Sequence, residues 1–385
     1  MKVLHVAASL SEEWGGPIPV VKGLTEMLAR KGVEVSIFAP LKQGAQDEIV
    51  RPKGAEVRLF KQDLLSKIWT AHSSALAKAL HREIGGFDLV HIHEIWHYPH
   101  FATYRAAKKA TKPYIVTIHG ALDPWCLNFK RFKKKTYAAL IQRRILNGAA
   151  AIHAIYQEEA KHVRAFGVES PVTVIPNGIN PEEFQGLPAR EEMERMYPDL
   201  EGKRVLLFLG RIHPKKGLGI LARAFSKIIM GRENVHLVIA GPDSEGYQIQ
   251  VEKALASEGI TGMTTFTGTL TGKEKLAALS RADIFVLPSY SEGFSIAILE
   301  AMICSLPVII THQCHFLEVA DAKAGIVIDP DPDQLADAIT KLLDDAKLRE
   351  GMGCNGKRLV MERFTWDKIA GRMIELYKNV LEGNG

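Results

Sequence analysis

Short apolar runs alternate along the chain with longer stretches in which apolar residues recur at helical spacing, and the alternation comes in two successive sets. The first set includes Val3 to Ala7, Val33 to Ala39, Leu89 to His93, Tyr114 to His119, Ala150 to Ala154 and Val172 to Ile175. The second includes Val205 to Leu209, His236 to Ala240, Thr264 to Thr267, Ile284 to Leu287, Val308 to Ile310 and Gly325 to Ile328. A strand that is apolar at nearly every position has no solvated face, so such strands belong in parallel sheets covered on both sides by crossover helices. The pattern predicts an α/β protein with two Rossmann-like domains, residues 1–180 and 181–366. From Pro176-Asn177-Gly178 to about Lys203 the chain is rich in turn formers and charge, with Pro181, Pro188 and Pro198, and reads as the linker. A last helix is expected from about Trp366 to Glu382.

Length and composition agree with this picture. The chain of 385 residues exceeds one comfortable core, and 46% hydrophobic with 24% charged residues is ordinary for a globular protein. No apolar run is long enough to span a bilayer, and Met1-Lys2-Val3 leads straight into a strand, so a cytoplasmic protein without a signal peptide is expected. Cys126, Cys304, Cys314 and Cys354 are scattered without Cys-x-x-Cys spacing, which suits a reducing compartment better than a disulfide framework or zinc site. A formal charge of +5 is too small to argue for nucleic acid as a partner.

Ligands of open α/β sheets bind beyond the carboxyl ends of the strands, so the loops there should carry function. The richest is Ser-Tyr-Ser-Glu292-Gly293-Phe294-Ser295-Ile296-Ala-Ile-Leu-Glu300, after the apolar run Ile284 to Leu287. Ser295 is expected to cap a helix whose apolar face begins at Ile296, which sets both carboxylates around one helix N-terminus. The amides of Gly293, Phe294, Ser295 and Ile296 suit a phosphate or sugar hydroxyls. Two glutamates beside an anion site would repel it unless they accept hydrogen bonds from hydroxyls, and a sugar nucleotide supplies both groups. Three other loops stand out. Trp14-Gly15-Gly16-Pro17 offers glycine amides to an anion but lacks the Gly-x-Gly-x-x-Gly spacing of a dinucleotide site. Gly210-Arg211-Ile-His-Pro-Lys215-Lys216-Gly217 pairs a guanidinium fork with an ammonium, groups that neutralise a departing diphosphate. Thr117-Ile-His119-Gly120 places a histidine at a strand's carboxyl end.

These elements resemble the signature of retaining, nucleotide-sugar-dependent glycosyltransferases of family 4, which have the GT-B fold: two Rossmann-like domains with parallel sheets facing across a cleft. The resemblance covers nearly the whole chain and is most specific from Gly210 to Leu306. It implies that Glu292 contacts donor-sugar hydroxyls, Glu300 holds the ribose, Arg211 and Lys216 bind the diphosphate, and His119 contacts the donor sugar. Gly241 and Leu270 resemble, less specifically, donor- and base-binding loops, with plain turns an equal reading. One departure is Ser295, where the family often has glycine, so a side chain bears on the choice of donor sugar. The resemblance also implies that the terminal helix, residues 367–385, packs back on the first domain.

Two further clusters invite metal. Asp329-Pro-Asp331-Pro-Asp333 has the spacing of a divalent-ion site but opens a helix at Pro332, where acidic residues complement the dipole. His91-Ile-His93-Glu94-Ile-Trp96-His97-Tyr-Pro-His100 puts His91 and His93 on one strand face, but the later spacing crosses an aromatic loop and has no Cys-x-x-Cys partner. Acceptor contacts from Glu94, Trp96 and His97 are expected instead, with no metal and no other cofactor required. Trp125, Phe129, Phe132, Lys133, Lys134 and Lys135 belong to a basic, aromatic segment that fits either a helix lying in an anionic membrane surface or a solvated amphipathic helix.

The expected activity is therefore transfer of a sugar, with retention and by front-face attack, from a nucleotide-diphosphate sugar to a glycan or lipid-linked acceptor. The setting implied is bacterial surface polysaccharide or glycolipid synthesis at the inner face of the plasma membrane. A nucleotide-sugar epimerase, a phosphorylase and a non-catalytic sugar-nucleotide-binding module share the architecture. Turnover without acceptor, with phosphate and glycan, or with none, tells them apart.

Overall fold

The computed structural model describes residues 1–11, 14–42, 44, 49–128, 136–243 and 245–383. It divides into two compact units, Met1–Gly178 with Trp366–Gly385, and Ile179–Thr365.

The first unit is built on seven strands: β1 (Lys2–Val6), β2 (Glu34–Leu41), β3 (Glu56–Lys61), β4 (Leu89–His93), β5 (Tyr114–Thr117), β6 (Ala151–Ala154) and β7 (Val172–Val174). They run in the order β3-β2-β1-β4-β5-β6-β7, every neighbour pair parallel. Strand β3 escaped the apolar pattern because Glu-Val-Arg-Leu-Phe-Lys mixes polar and apolar residues and lies at the sheet edge, half-buried between exposed ends. The helix Trp366–Leu381 buries Trp366, Ile369, Met373 and Tyr377 in this unit. Arg372 donates to the carbonyl of Val174 at 2.7 Å, and the Tyr377 hydroxyl lies 2.6 Å from His91 Nδ1.

The second unit has six strands: β8 (Arg204–Leu209), β9 (Val235–Ala240), β10 (Thr264–Gly268), β11 (Ile284–Leu287), β12 (Val308–Thr311) and β13 (Gly325–Ile328). Their order is β10-β9-β8-β11-β12-β13, again parallel throughout. The expected linker is in large part a packed element of this unit: it holds the helix Arg190–Met196, buries Met193 and Leu200 completely, and ties Glu194 to Arg281 at 2.7 Å. Its charge disguised a helix anchored by one methionine, since five of the seven helical residues Arg-Glu-Glu-Met-Glu-Arg-Met are ionic.

Candidate active site

In the second unit the loops after β8, β9, β10 and β11 meet, and two glycines show how closely. Gly241 has φ 148°, and a Cβ there would lie 1.9 Å from the carbonyl oxygen of Gly210. Gly217 has φ 69°, and its Cβ would lie 1.9 Å from the carbonyl oxygen of Pro288. Only glycine lets these backbones approach. The Gly241 amide also donates to the carbonyl of Gly268 at 2.8 Å, and the Tyr290 amide to that of Lys215 at 2.7 Å. The one-turn helix Pro214–Lys216, capped by the His213 ring, then delivers Lys216 into contact with Glu292. Both side chains are largely buried, at 15% and 10% exposure, and Ser289 Oγ donates to the same Glu292 oxygen at 2.8 Å.

Glu300 sits one turn into the helix Ile296–Ile303 and accepts from Lys275 at 2.6 Å. Lys275 was not singled out from the sequence. It opens the helix Gly272–Arg281 beyond the β10 loop, and the one signal available was its place just after a strand's carboxyl end. Ser295 occupies the N-cap with extended backbone, yet its hydroxyl caps no amide, contrary to expectation. The first-turn amides are therefore not consumed by it and keep the positive end of the helix dipole. The Phe294 ring turns inward against Phe316 and Phe364, with centroids 4.9 and 5.9 Å away. Leu270 is buried in the core, and Arg211 is exposed after β8. Chemically, two ammonium–carboxylate pairs flank one helix N-terminus: cations and amides for phosphate oxygens, carboxylates for hydroxyl groups.

In the first unit the candidates gather beyond β1, β4 and β5. His5 lies opposite His91, and two residues further along β4 His93 lies opposite Thr117 and Thr117 opposite His153, so a double row of polar side chains spans four strands. The row is bonded: His5 Nδ1 to His93 Nε2 at 2.8 Å, His91 Nε2 to Thr117 Oγ1 at 2.6 Å, Thr117 Oγ1 to His153 Nδ1 at 2.8 Å. His119, with φ 53°, joins through its Nε2, 3.3 Å from His93 Nδ1. Burial pushes His5 and His119 down to about 3 and His153 to about 4, with His91 and His93 also far below the ordinary value. All five rings are neutral near pH 7. Ligand atoms of His5, His91 and His93 lie within 4.8 Å of one another, a grouping that could hold a metal ion. Both nitrogens of His91 are held by Tyr377 and Thr117, while His5 Nε2 has no partner.

The turn carrying His119 is fixed by Glu159, which sequence reasoning missed. Its carboxylate accepts from the Gly120 amide at 2.5 Å and the Ile155 amide at 2.6 Å, and burial raises it to about 7. Glu94, with φ 71°, accepts from Trp14 Nε1 at 3.0 Å and is likewise raised to about 7 by burial. Trp14 meets His97 edge-on at 5.3 Å. Trp96 points elsewhere, packing on Tyr137 and Phe166. Gly15 and Gly16 open the helix Pro17–Arg30. Of the basic aromatic segment, Trp125 is exposed on the short helix Pro124–Asn128, whereas Phe129, Phe132, Lys133, Lys134 and Lys135 lie outside the described residues. Asp331 caps the helix Pro332–Asp344 by accepting from the amides of Asp333 and Gln334, the cap reading of that motif.

Comparison with known proteins follows this division. Residues 189–359 match the family model "Glycosyl transferases group 1", and residues 14–183 match "Glycosyltransferase Family 4". The chain is 28% identical over 384 residues to an uncharacterised glycosyltransferase of Methanocaldococcus jannaschii, covering 96% of each. It is 26% identical over 404 residues to the D-inositol 3-phosphate glycosyltransferase of Paenarthrobacter aurescens, covering 96% of this chain and 94% of that one. The crystal structure of Anabaena HepE in complex with UDP-glucose superposes with a TM-score of 0.79 at 19% identity, covering 98% of this chain and all of that one. Two parallel-sheet Rossmann-like domains with these matches define a glycosyltransferase of the GT-B type. The chain belongs to glycosyltransferase family 4.

Proposed function

We propose that the protein transfers a sugar, with retention of anomeric configuration, from a nucleotide-diphosphate sugar to a glycan or lipid-linked acceptor at the inner face of a membrane. The carrying observation is the pair of part-buried contacts, Lys216 with Glu292 and Lys275 with Glu300, around one helix N-terminus. A lone basic loop would bind any anion; carboxylates interleaved with cations select a ligand rich in both phosphate and hydroxyl. HepE, a neighbour in fold, binds UDP-glucose, which supports a nucleotide-sugar donor here.

In the reaction the bond from the anomeric carbon to the diphosphate oxygen breaks, and its electron pair stays on the phosphate. Arg211, Lys216 and the amides of Gly293 to Ile296 stabilise that charge without a metal ion. The acceptor hydroxyl bonds the same face of the anomeric carbon, and its proton passes to the departing phosphate. Glu292 serves as a hydroxyl acceptor rather than a nucleophile, the role that the family resemblance implies, with Lys216 and Ser289 orienting it through one oxygen. His119, held neutral by burial, is suited to hydrogen bonding rather than to carrying charge. A thermal-shift screen against UDP-, GDP- and ADP-sugars, then product analysis by NMR with and without EDTA, tests the reading. One sugar nucleotide should stabilise the fold and yield a product of unchanged anomeric configuration in EDTA. An inverted anomer, or activity abolished by EDTA and restored by a divalent ion, overturns the corresponding part.

A further inference from the structure

We propose that His5 and His93 are positioning residues for His119: a chain of hydrogen bonds through their rings keeps the His119 hydrogen on Nδ1, so that the ring offers an N–H to an oxygen of the donor sugar. The inference rests on the donor contact given to His119 in the proposed function and adds what decides which group makes it. Two chains of bonds are involved, and each has one end that fixes its direction.

The first chain starts at a carbonyl. The Ile175 oxygen, which can only accept, lies 2.7 Å from His153 Nε2, so the hydrogen of that neutral ring sits on Nε2 and its Nδ1 is bare. Thr117 therefore donates its hydroxyl hydrogen to His153 Nδ1 and accepts from His91 Nε2, at 2.8 and 2.6 Å. His91 Nδ1 is left as an acceptor, and Tyr377 donates to it at 2.6 Å. One backbone carbonyl thus settles four side chains in turn, and His91 has no lone pair to spare for a metal ion. The His93 ring stacks on this fixed imidazole, with centroids 4.3 Å apart and planes 24° from parallel.

The second chain runs from His5 Nδ1 to His93 Nε2 at 2.8 Å and from His93 Nδ1 to His119 Nε2 at 3.3 Å. A neutral imidazole has one donor and one acceptor, so all three rings must point the same way along it. If the hydrogens ran inward from His119, the last would sit on His5 Nε2, a fully buried atom with no partner. Running outward, they leave that atom a bare lone pair. A buried N–H without an acceptor is the rarer defect, which selects the outward direction and puts the His119 hydrogen on Nδ1. Backbone and ring are then fixed separately: the Gly120 amide, bonded to Glu159 at 2.5 Å, ties down the turn in which His119 has φ 53°, while His93 holds the imidazole. Among the described residues nothing else bonds the His119 ring, and the residue is partly exposed.

The test is NMR of the full chain labelled with 15N-histidine, at about pH 7 and without substrate, the His119 signals being assigned from the His119→Gln variant. Nδ1 should show the shift of a protonated ring nitrogen and Nε2 that of a bare one. In His93→Leu this assignment should be lost, and kcat/KM for the sugar nucleotide picked out by the thermal-shift screen should fall about tenfold. His93→Asn, whose amide can donate to His119 Nε2 from the place of His93 Nδ1, should restore the tautomer and recover most of the rate. An Nε2–H tautomer in the unmodified protein overturns the proposal before any variant is made, and so does a leucine variant that keeps the parent's tautomer. A stoichiometric transition metal in the purified protein, lost in His5→Leu, would assign the cluster to metal binding and likewise overturn it. Because the tautomer is read without donor, failure to turn over any sugar nucleotide strikes the transferase reading alone and leaves the chain from His5 to His119 standing.

Discussion

At the centre of the second unit's sheet, β8, β11 and β12 contribute Val205 to Leu209, Ile284 to Leu287 and Val308 to Ile310, all buried and apolar. At the corresponding place in the first unit, β1, β4, β5 and β6 contribute His5, His91, His93, Thr117 and His153, also buried but joined by hydrogen bonds. One parallel topology thus carries two kinds of interior. The apolar one has a single buried imidazole, His236 on β9, bonded to Thr265 at 2.8 Å and pushed down by burial, and its candidate chemistry lies in the loops. The polar one extends from the middle of the sheet out to His119, so there the folding interior and the candidate site share a network.

The comparison can be broken most sharply at Lys216. Lys216→Met leaves Glu292 buried without its cation, and kcat should fall by about 100- to 1,000-fold. Steady-state transfer kinetics check this, and a variant within a factor of a few of the parent removes Lys216 from the reaction. Acid should separate the two interiors. From about 6.5, where free histidine titrates, down to about 3, where His5 and His119 titrate in the fold, the unfolded chain binds more protons. Stability from the five rings is complete above that window and drains away as pH falls. Glu94 and Glu159 act oppositely, since their raised values of about 7 let the folded state take up protons first. Two carboxyls do not offset five imidazoles, so hydrogen exchange at pH 5 should show the first unit opening before the second. Simultaneous opening would erase the contrast.

A smaller effect is expected at Glu159. Glu159→Gln puts an amide N–H against a backbone N–H, at Gly120 or Ile155, and should cost about 1–3 kcal/mol in urea unfolding. It should also slow turnover, because the turn bearing His119 loses its tie; unchanged stability would show the carboxylate to be dispensable. Least affected should be Lys275→Ala, which loosens Glu300: the donor KM should rise about tenfold with kcat nearly constant. A change confined to kcat would place Lys275 in the chemical step instead.

How much of this was legible from the residues follows the same divide. Every apolar strand could be located, because burial on both faces writes itself as a continuous run, while β3 at the edge could not. In the second unit the loops that converge lie close to their strands in sequence, and Glu292 and Glu300 announce themselves by spacing. Lys216 could be picked out by its basic loop, but not its pairing with Glu292, 76 residues away, and Lys275, 25 residues from Glu300, went unseen. In the first unit the decisive contacts join His5 to His93 and Gly120 to Glu159, and no local pattern signals a buried carboxylate accepting two amides. Ser295 shows the opposite error: the residue type and position suit a cap, but its hydroxyl does not make the bond.

The terminal helix has a consequence for biosynthesis. A ribosome makes the chain from its amino end, so Tyr377, which bonds His91 in the middle of the first sheet, emerges 286 residues after its partner. Until then the nascent amino-terminal half carries imidazoles that lack their phenol partner and the apolar cover of Trp366, Ile369 and Met373. The half translated first is therefore the one whose folding finishes last, and a ribosome stalled before residue 366 would display it open to chaperones and proteases.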